Sequence, residues 1–287
     1  ALAAFTLLIP VAANAAPTIQ NKTVAQPTIA ILDTAIDTSI PLIKSNILYE
    51  ACVIQWNSCP NGLGEMEGTN SAVLPTSVIS KNGFDHGTQM ASLAIATNPN
   101  VRIVFVRIIG ANSQGLRQAS GEQSVWAGLD WVIRNKVKFN IQAVSISQGH
   151  HVLGAAGTDY CPKTPITESK VKTLLDMNVP VFSASGNSSD YFRIDWPACI
   201  PNVVAIGSTM PTGSVAFYTN YDSKLTDFFA LGTTQAITVG GNKINVAGTS
   251  ASSVIAATQW ATISANKTSL TYSCLLYTSP SPRDQRG

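Results

Sequence analysis

Four polar residues along the chain have the types that acyl transfer by a serine requires: Asp33, His86, Asn187 and Ser250. A serine hydroxyl is a poor nucleophile near neutral pH, so a base must take its proton. A histidine can take that proton and later return it to a leaving group, while an aspartate holds the imidazole tautomer. An asparagine amide and a backbone N–H at the serine can stabilise the developing oxyanion. In such chemistry Asp33, His86 and Ser250 would be catalytic and Asn187 would be an oxyanion donor.

Each of these residues lies where a strand is predicted to end or a helix to begin. Asp33 and Asn187 follow short apolar runs, which are typical of buried strands, and His86 and Ser250 precede small and apolar residues suited to buried helices. Every position also has an ordinary structural alternative. Asp33 and Asn187 could be turn residues, His86 a structural histidine and the Ser250 hydroxyl a helix cap. Because ligands gather at the carboxyl ends of parallel strands, we expect the four to meet at one edge of a sheet.

Strand and helix patterns alternate along most of the chain. Apolar runs predict strands at 28–32, 101–109, 141–147, 179–183 and 202–207. Helices are predicted after His86 and at 122–136, 167–177 and 251–265, with a hairpin at 237–246 and an irregular segment at 45–82. This order predicts an α/β fold: a doubly wound, mostly parallel β-sheet with helices on both faces, in three αβα layers.

The flanking sequences carry a family resemblance. The matching stretches are ILDTAID (31–37), HGT (86–88), VSISQG (144–149), ASGN (184–187), WPA (196–198) and GTS (248–250). Together they resemble the subtilisin-like serine proteases, the subtilases, over roughly residues 27–266. The resemblance implies a subtilisin-like fold and a serine endopeptidase that hydrolyses proteins or peptides through an acyl-enzyme, with no cofactor for catalysis. It also implies that Asp33, His86 and Ser250 form the Asp-His-Ser triad and that Asn187 is the oxyanion donor.

The resemblance also implies residues that bind the substrate. Ser147-Gln148-Gly149 would pair with the extended substrate backbone, and Ala184-Ser185-Gly186 would form the wall of the pocket for the residue before the scissile bond. A calcium-binding carboxylate that follows a proline in many relatives is Leu42 here. Structural calcium therefore stays open, and no residue is assigned to a metal.

Three departures from the family pattern lie near these residues. Ala35 replaces the usual glycine, so its turn must avoid a positive φ angle or bear strain. Gln89 stands where the family has a histidine, and Ala251-Ser252-Ser253-Val254 replaces the usual Met-Ala-Ala-Pro after the serine. No member of the expected triad is lost.

The two ends of the chain are predicted not to belong to the folded domain. Residues 1–15 are expected to be a truncated signal peptide, because an apolar stretch ends in Ala13-Asn14-Ala15, and residues 16–26 an N-terminal arm. Residues 27–273 are predicted to form one peptidase domain, truncated at its C-terminal end. Residues 274–287 resemble the translation of a transposase-type sequencing adapter. A secreted or periplasmic location is expected.

The amino-acid composition bears on which classes of partner the chain binds. The chain has 287 residues, 45% of them hydrophobic, and a formal net charge of +2, which gives no indication of a nucleic-acid or anionic-membrane partner. No segment is long and apolar enough for a membrane span, and we expect a monomer. For an exported chain, disulfides are favoured over zinc ligation or free thiols; the simplest pairing is Cys52–Cys59 with Cys161–Cys199.

Two other functions are left open by the sequence. Gly-Thr-Ser-Ala-Ser is also similar to the sedolisin-like acid peptidases, which use a Glu and an Asp in place of the histidine and an Asp in place of the oxyanion asparagine. His86 and Asn187 argue against that alternative. The altered flanks of Asp33 and Ser250 would also suit a catalytically impaired subtilase-like protein that only binds its partner.

Overall fold

An eight-stranded sheet lies at the centre of the computed structural model, which describes residues 26–54, 59–80, 83–112, 114–118, 121–154, 159–267 and 271. Its strands are β1 (Thr28–Asp33), β2 (Ile47–Val53), β3 (Glu65–Glu67), β4 (Arg102–Arg107), β5 (Ala143–Ile146), β6 (Val181–Ala184), β7 (Val203–Thr209) and β8 (Phe228–Leu231). Their order is β3-β2-β4-β1-β5-β6-β7-β8, and every neighbouring pair is parallel except β2 with β3. Strands β9 (Thr233–Ile237) and β10 (Lys243–Ala247) form a separate antiparallel pair.

Helices cover both faces of this sheet. They are α1 (Pro41–Asn46), α2 (Thr76–Ile79), α3 (His86–Thr97), α4 (Glu122–Phe139), α5 (Pro165–Asp176) and α6 (Thr249–Asn266). Apolar residues of α3 and α6 share one core cluster, and those of α4 and α5 share another on the opposite side of the sheet. The prediction of a doubly wound, three-layer α/β fold is confirmed.

Strand β1 lies in the middle of the sheet, and the candidate site is at its carboxyl end. All six of its residues are buried, as expected for a strand with parallel neighbours on both sides and helices on both faces. In the register, Asp33 lies opposite Arg107 of β4, and Leu32 lies opposite Ile146 of β5. The residue after β1 and those after β5 therefore leave the sheet at the same edge.

The prediction of an irregular segment at 45–82 is wrong. This segment contains β2, which pairs with β4 inside the sheet, and the short elements β3 and α2. Glu50 obscures the pattern of β2, because a buried carboxylate is rare in an inner strand. The backbone N–H of Ala72 donates to the Glu50 carboxylate at 3.2 Å, a contact between distant segments that no local pattern reveals. Strand β8 was also not predicted, and its residues are only partly buried or exposed.

Other sequence predictions are confirmed. The hairpin at 237–246 is the β9–β10 pair, and its turn contains Gly240 and Gly241 at φ values of 73° and 81°. The disulfides are Cys52–Cys59 and Cys161–Cys199, so these four cysteines are neither free nor zinc ligands. The proposed signal peptide (1–15) and adapter-like tail (274–287) lie outside the described residues, as does all but the last residue of the arm (16–26). Within the described ranges, none of the helices combines the length and apolar character needed to cross a bilayer.

Candidate active site

Asp33 and His86 form a close pair at the carboxyl edge of the sheet. Asp33 ends β1 with no exposed surface, and His86 is the first residue of α3. The imidazole Nδ1 lies 2.8 Å from Asp33 Oδ1 and 3.0 Å from Oδ2, and 23% of the His86 side chain is exposed. An aspartate in this place holds Nδ1 protonated and leaves Nε2, on the other side of the ring, to accept a proton.

The Asp33 carboxylate accepts two further hydrogen bonds. The Thr34 backbone N–H donates to Oδ1 at 2.7 Å, and the Gln148 side-chain amide donates to the same oxygen at 2.9 Å. Burial raises the pKa of Asp33, but His86, the Thr34 N–H and the nearby Arg117 charge together lower that pKa below its usual value. The group therefore stays ionised beside the imidazole.

A second set of contacts fixes His86 relative to Asp33. The Thr34 hydroxyl donates to the Phe84 carbonyl at 2.8 Å and accepts the Gly87 N–H at 2.9 Å. A Cβ on Gly87 would lie 2.5 Å from the Ala35 carbonyl oxygen, so only glycine allows this approach. Ala35 is not among the residues with positive φ, which shows how the chain accommodates an alanine in place of the family's glycine.

Ser250 lies in the first turn of α6 and does not cap that helix. The N-cap residue is Gly248, and no side chain makes a capping hydrogen bond there. The Ser250 hydroxyl donates to the Ser147 carbonyl at 3.5 Å, and the Ser147 hydroxyl donates to the Ser250 carbonyl at 3.1 Å. In the described part of the chain, Ser250 Oγ makes no hydrogen bond to His86. Such contacts are often loose without substrate and tighten when it binds.

Asn187 is held beside the same helix start by Thr249. The Asn187 Oδ1 atom accepts the Thr249 backbone N–H at 2.8 Å and the Thr249 hydroxyl at 3.1 Å. The Thr249 hydroxyl in turn accepts the Gly186 N–H at 3.0 Å. Because both donors engage the amide oxygen, the orientation of the amide is defined and its NH₂ group is directed elsewhere. The residue is exposed, so this NH₂ can donate to a ligand.

The residues predicted to bind substrate follow neighbouring strands. Ser147-Gln148-Gly149 follows β5, and Ala184-Ser185-Gly186 lies at the end of β6, which pairs with β5. Ser185 is buried, and its hydroxyl donates to the Asn220 carbonyl at 2.6 Å, so its side chain supports the loop from behind. Gly186 has a φ of 111°, and a Cβ there would lie 2.4 Å from Asp195 Oδ2. Backbone pairing with a substrate stays a prediction.

The sequence reasoning missed the role of the Gln148 side chain, and it missed Arg117 altogether. The Gln148 side chain is 2% exposed and lies against Asp33, although only its backbone was expected to have a role. Arg117, on the loop after β4, donates to Gln148 Oε1. The one available signal was a polar glutamine directly after a buried strand, and no sequence feature indicated Arg117.

A partly buried polar cluster supports the loop that carries Asn187. Asp195 Oδ1 accepts the Asn220 amide at 2.9 Å and lies 2.9 Å from His151 Nδ1. Burial raises the pKa of Asp195 more than these partners lower it. Across the described residues, no group of three or more His, Cys, Asp or Glu side chains is arranged to hold a metal ion.

The fold is shared with solved structures of one class of protein. A cold-adapted subtilisin-like serine proteinase superposes with a TM-score of 0.64 at 20% identity, covering 87% of this chain and 79% of that one. The epidermin leader peptide processing serine protease of Staphylococcus aureus superposes with a TM-score of 0.66 at 17% identity, covering 84% of this chain and 65% of that one. At these identities the likeness shows the fold.

The family itself follows from the sequence match. The model of the Subtilase family matches residues 25–275, and the chain belongs to that family. An extracellular serine proteinase of Thermus sp. (strain Rt41A) is 31% identical over 157 residues, which is 53% of this chain and 33% of the relative. Alkaline elastase YaB of Bacillus sp. (strain YaB) is 28% identical over 170 residues, 56% of this chain and 39% of the relative. The match thus spans well under half of these relatives.

Proposed function

We propose that this chain is the catalytic domain of a secreted serine endopeptidase that works through an acyl-enzyme. The observation that carries the proposal is the arrangement of the Asp33, His86 and Asn187 side chains around the helix start at the carboxyl edge of the sheet. A buried, ionised Asp33 holds His86 Nδ1 at 2.8 Å, while the Asn187 amide is oriented beside the helix start that carries Ser250. Membership of the subtilase family supports the same assignment.

The reaction assigns one role to each residue. Ser250 Oγ attacks the carbonyl carbon of the scissile peptide bond and gives its proton to His86 Nε2, while Asp33 stabilises the imidazolium. The carbonyl oxygen becomes an oxyanion that accepts hydrogen bonds from the Asn187 NH₂ and the Ser250 backbone N–H. When the tetrahedral intermediate collapses, the C–N bond breaks and the leaving amine takes the proton from His86. Water then hydrolyses the acyl-enzyme by the same proton route.

Substrate binding and environment complete the proposal. Ser147-Gln148-Gly149 and Ala184-Ser185-Gly186 would bind a protein or peptide in an extended conformation, and the enzyme would act as a monomer. A secreted or periplasmic location is supported by two disulfides, which persist in oxidising compartments, and by the extracellular description of the Thermus relative. Structural calcium is left without assigned ligands.

A fluorophosphonate probe tests the nucleophile. The probe should label the folded protein at one serine, and Ser250→Ala should abolish both labelling and peptide cleavage. Ser214→Ala is a matched control, because Ser214 is an exposed serine that does not belong to the proposed site. This variant should be labelled normally. Labelling that survives in Ser250→Ala would overturn the assignment.

The alternatives predict different results. A sedolisin-like peptidase would be most active in acid, whereas a histidine base loses activity as it becomes protonated in mild acid. The Asp33–His86 pair is the observation against the sedolisin alternative. A subtilase-like binding protein would leave the wild-type protein unlabelled although folded.

A further inference from the structure

We infer that Gln148 and Arg117 form a positioning relay that holds the Asp33 carboxylate in the orientation required by His86. The inference rests on the proposed function, since the relay matters for catalysis only if Asp33 and His86 belong to a triad. Neither residue would touch the reacting atoms with its side chain. Both would act through Asp33.

Gln148 provides the first link. Its amide nitrogen lies 2.9 Å from Asp33 Oδ1 and 3.1 Å from His86 Nδ1. Because Nδ1 lies 2.8 Å from the same carboxylate oxygen, it carries the hydrogen and is itself a donor. The amide nitrogen is also a donor, so the 3.1 Å contact is not a hydrogen bond. The Gln148 amide and the imidazole therefore both donate to one carboxylate oxygen.

Arg117 provides the second link by defining which way the Gln148 amide faces. A guanidinium has only donors, so the atom of Gln148 that it meets must be the carbonyl oxygen Oε1. A rotated amide would bring its NH₂ group against the guanidinium and its oxygen against the Asp33 carboxylate, and both contacts would be repulsive. Arg117 therefore selects the one orientation in which Gln148 donates to Asp33.

The surrounding structure keeps the relay in place. Gln148 is 2% exposed and cannot turn toward solvent. Arg117 is exposed but lies in a short hairpin-like loop, where the Ala111 and Arg117 backbones form a bridge and the Gln118 N–H donates to the Gly110 carbonyl at 2.9 Å. Its positive charge also contributes to the lowered pKa of Asp33. The relay thus connects a surface cation to a fully buried carboxylate.

Loss of either link should lower the rate of the chemical step more than it weakens substrate binding. A hydrogen bond to a charged group contributes enough that its removal should lower kcat about tenfold to hundredfold. Gln148→Met keeps the volume and removes the donor, and Arg117→Met removes the charge and the guanidinium donors. KM should change by less than about threefold, because the interaction that is lost lies behind the triad.

The decisive experiment is a double-mutant cycle on the full chain, with kcat normalised by active-site titration. If Arg117 acts mainly through Gln148, the loss of kcat in the double variant should be clearly smaller than the two single losses combined. Gln142→Met is the control, because the Gln142 amide oxygen accepts the Thr28 N–H at 2.6 Å at the opposite end of β1. Arg134→Met controls for the loss of a surface arginine paired with Glu65. Both controls should retain wild-type kcat.

A spectroscopic readout separates this proposal from the proposed function. The proton shared between His86 Nδ1 and Asp33 should give a low-field proton NMR resonance in the folded protein, whether or not the protein cleaves peptides. That resonance should move or broaden in Gln148→Met and Arg117→Met and stay unchanged in Gln142→Met and Arg134→Met. Unchanged kcat and resonance in the folded variants, or strictly additive losses in the double variant, would overturn the relay. A wild-type protein that the fluorophosphonate fails to label would instead overturn the proposed function.

Discussion

Thr249→Val tests how Asn187 is held for the oxyanion role that we propose for it. Valine matches the shape of threonine, so the buried volume is kept and only the hydroxyl is lost. That hydroxyl makes two contacts, donating to Asn187 Oδ1 at 3.1 Å and accepting the Gly186 N–H at 3.0 Å. The Thr249 backbone N–H, 2.8 Å from the same Asn187 oxygen, remains.

The size of the effect follows from these contacts. Losing one hydrogen bond costs about 1 kcal/mol, and leaving the buried Gly186 N–H without its acceptor costs about 1–3 kcal/mol, so unfolding should become easier by about 2–4 kcal/mol. Removal of an oxyanion donor lowers kcat by about 10²–10³, which we expect for Asn187→Ala. Since one of two anchors persists in Thr249→Val, its kcat should fall less, by about tenfold.

Two measurements check this prediction. Chemical denaturation gives the free energy of unfolding, and kcat per titrated active site gives the catalytic effect without a contribution from unfolded protein. Thr249→Ser keeps the hydroxyl and should retain most of the activity. If Thr249→Val turned over at the wild-type rate, or if the serine variant were as slow as the valine variant, the hydroxyl would not orient Asn187.

Two further predictions concern stability. Burial alone would raise the pKa of Asp37, but hydrogen bonds from Ser39 and from the Gly240 N–H lower that pKa below 3.8, so the ionised group stabilises the fold above pH 3.8 and this contribution is lost as pH falls through the folded-state pKa. Asp37→Asn should therefore flatten the acid side of a stability–pH curve measured by denaturation, and an unchanged curve would contradict this. The Cys161–Cys199 disulfide closes a loop with a sequence separation of 38 and Cys52–Cys59 one of 7. Because a longer closed loop removes more entropy from the unfolded chain, replacing the first pair by alanine should lower the free energy of unfolding by about 4 kcal/mol, and replacing the second pair by about 2 kcal/mol. The reverse order would refute the loop-entropy account.

The parts of the fold that could be predicted are those with local signals. The apolar run of β1, the long apolar and small-residue stretch of α6 and the glycines of the β9–β10 turn each identify themselves within a few residues. Strand β2 could not be found in this way, because Glu50 depends on the Ala72 N–H, 22 residues further along the chain. Strand β8 lacked a clear signal because its partly exposed residues do not alternate strongly.

For the site, the resemblance of the flanking sequences to the subtilases was sufficient to propose Asp33, His86, Asn187 and Ser250, and the residue types suit the roles that acyl transfer requires. The directions of the side chains came only from the folded chain. Gln148 lies against Asp33, and Thr249 orients Asn187, because strands and a helix distant in sequence end at the same edge of the sheet. Hydrogen bonds of this kind act over about 3 Å between residues that are far apart in the chain, so the amino-acid pattern indicates which chemistry is available and the tertiary packing decides which groups support it.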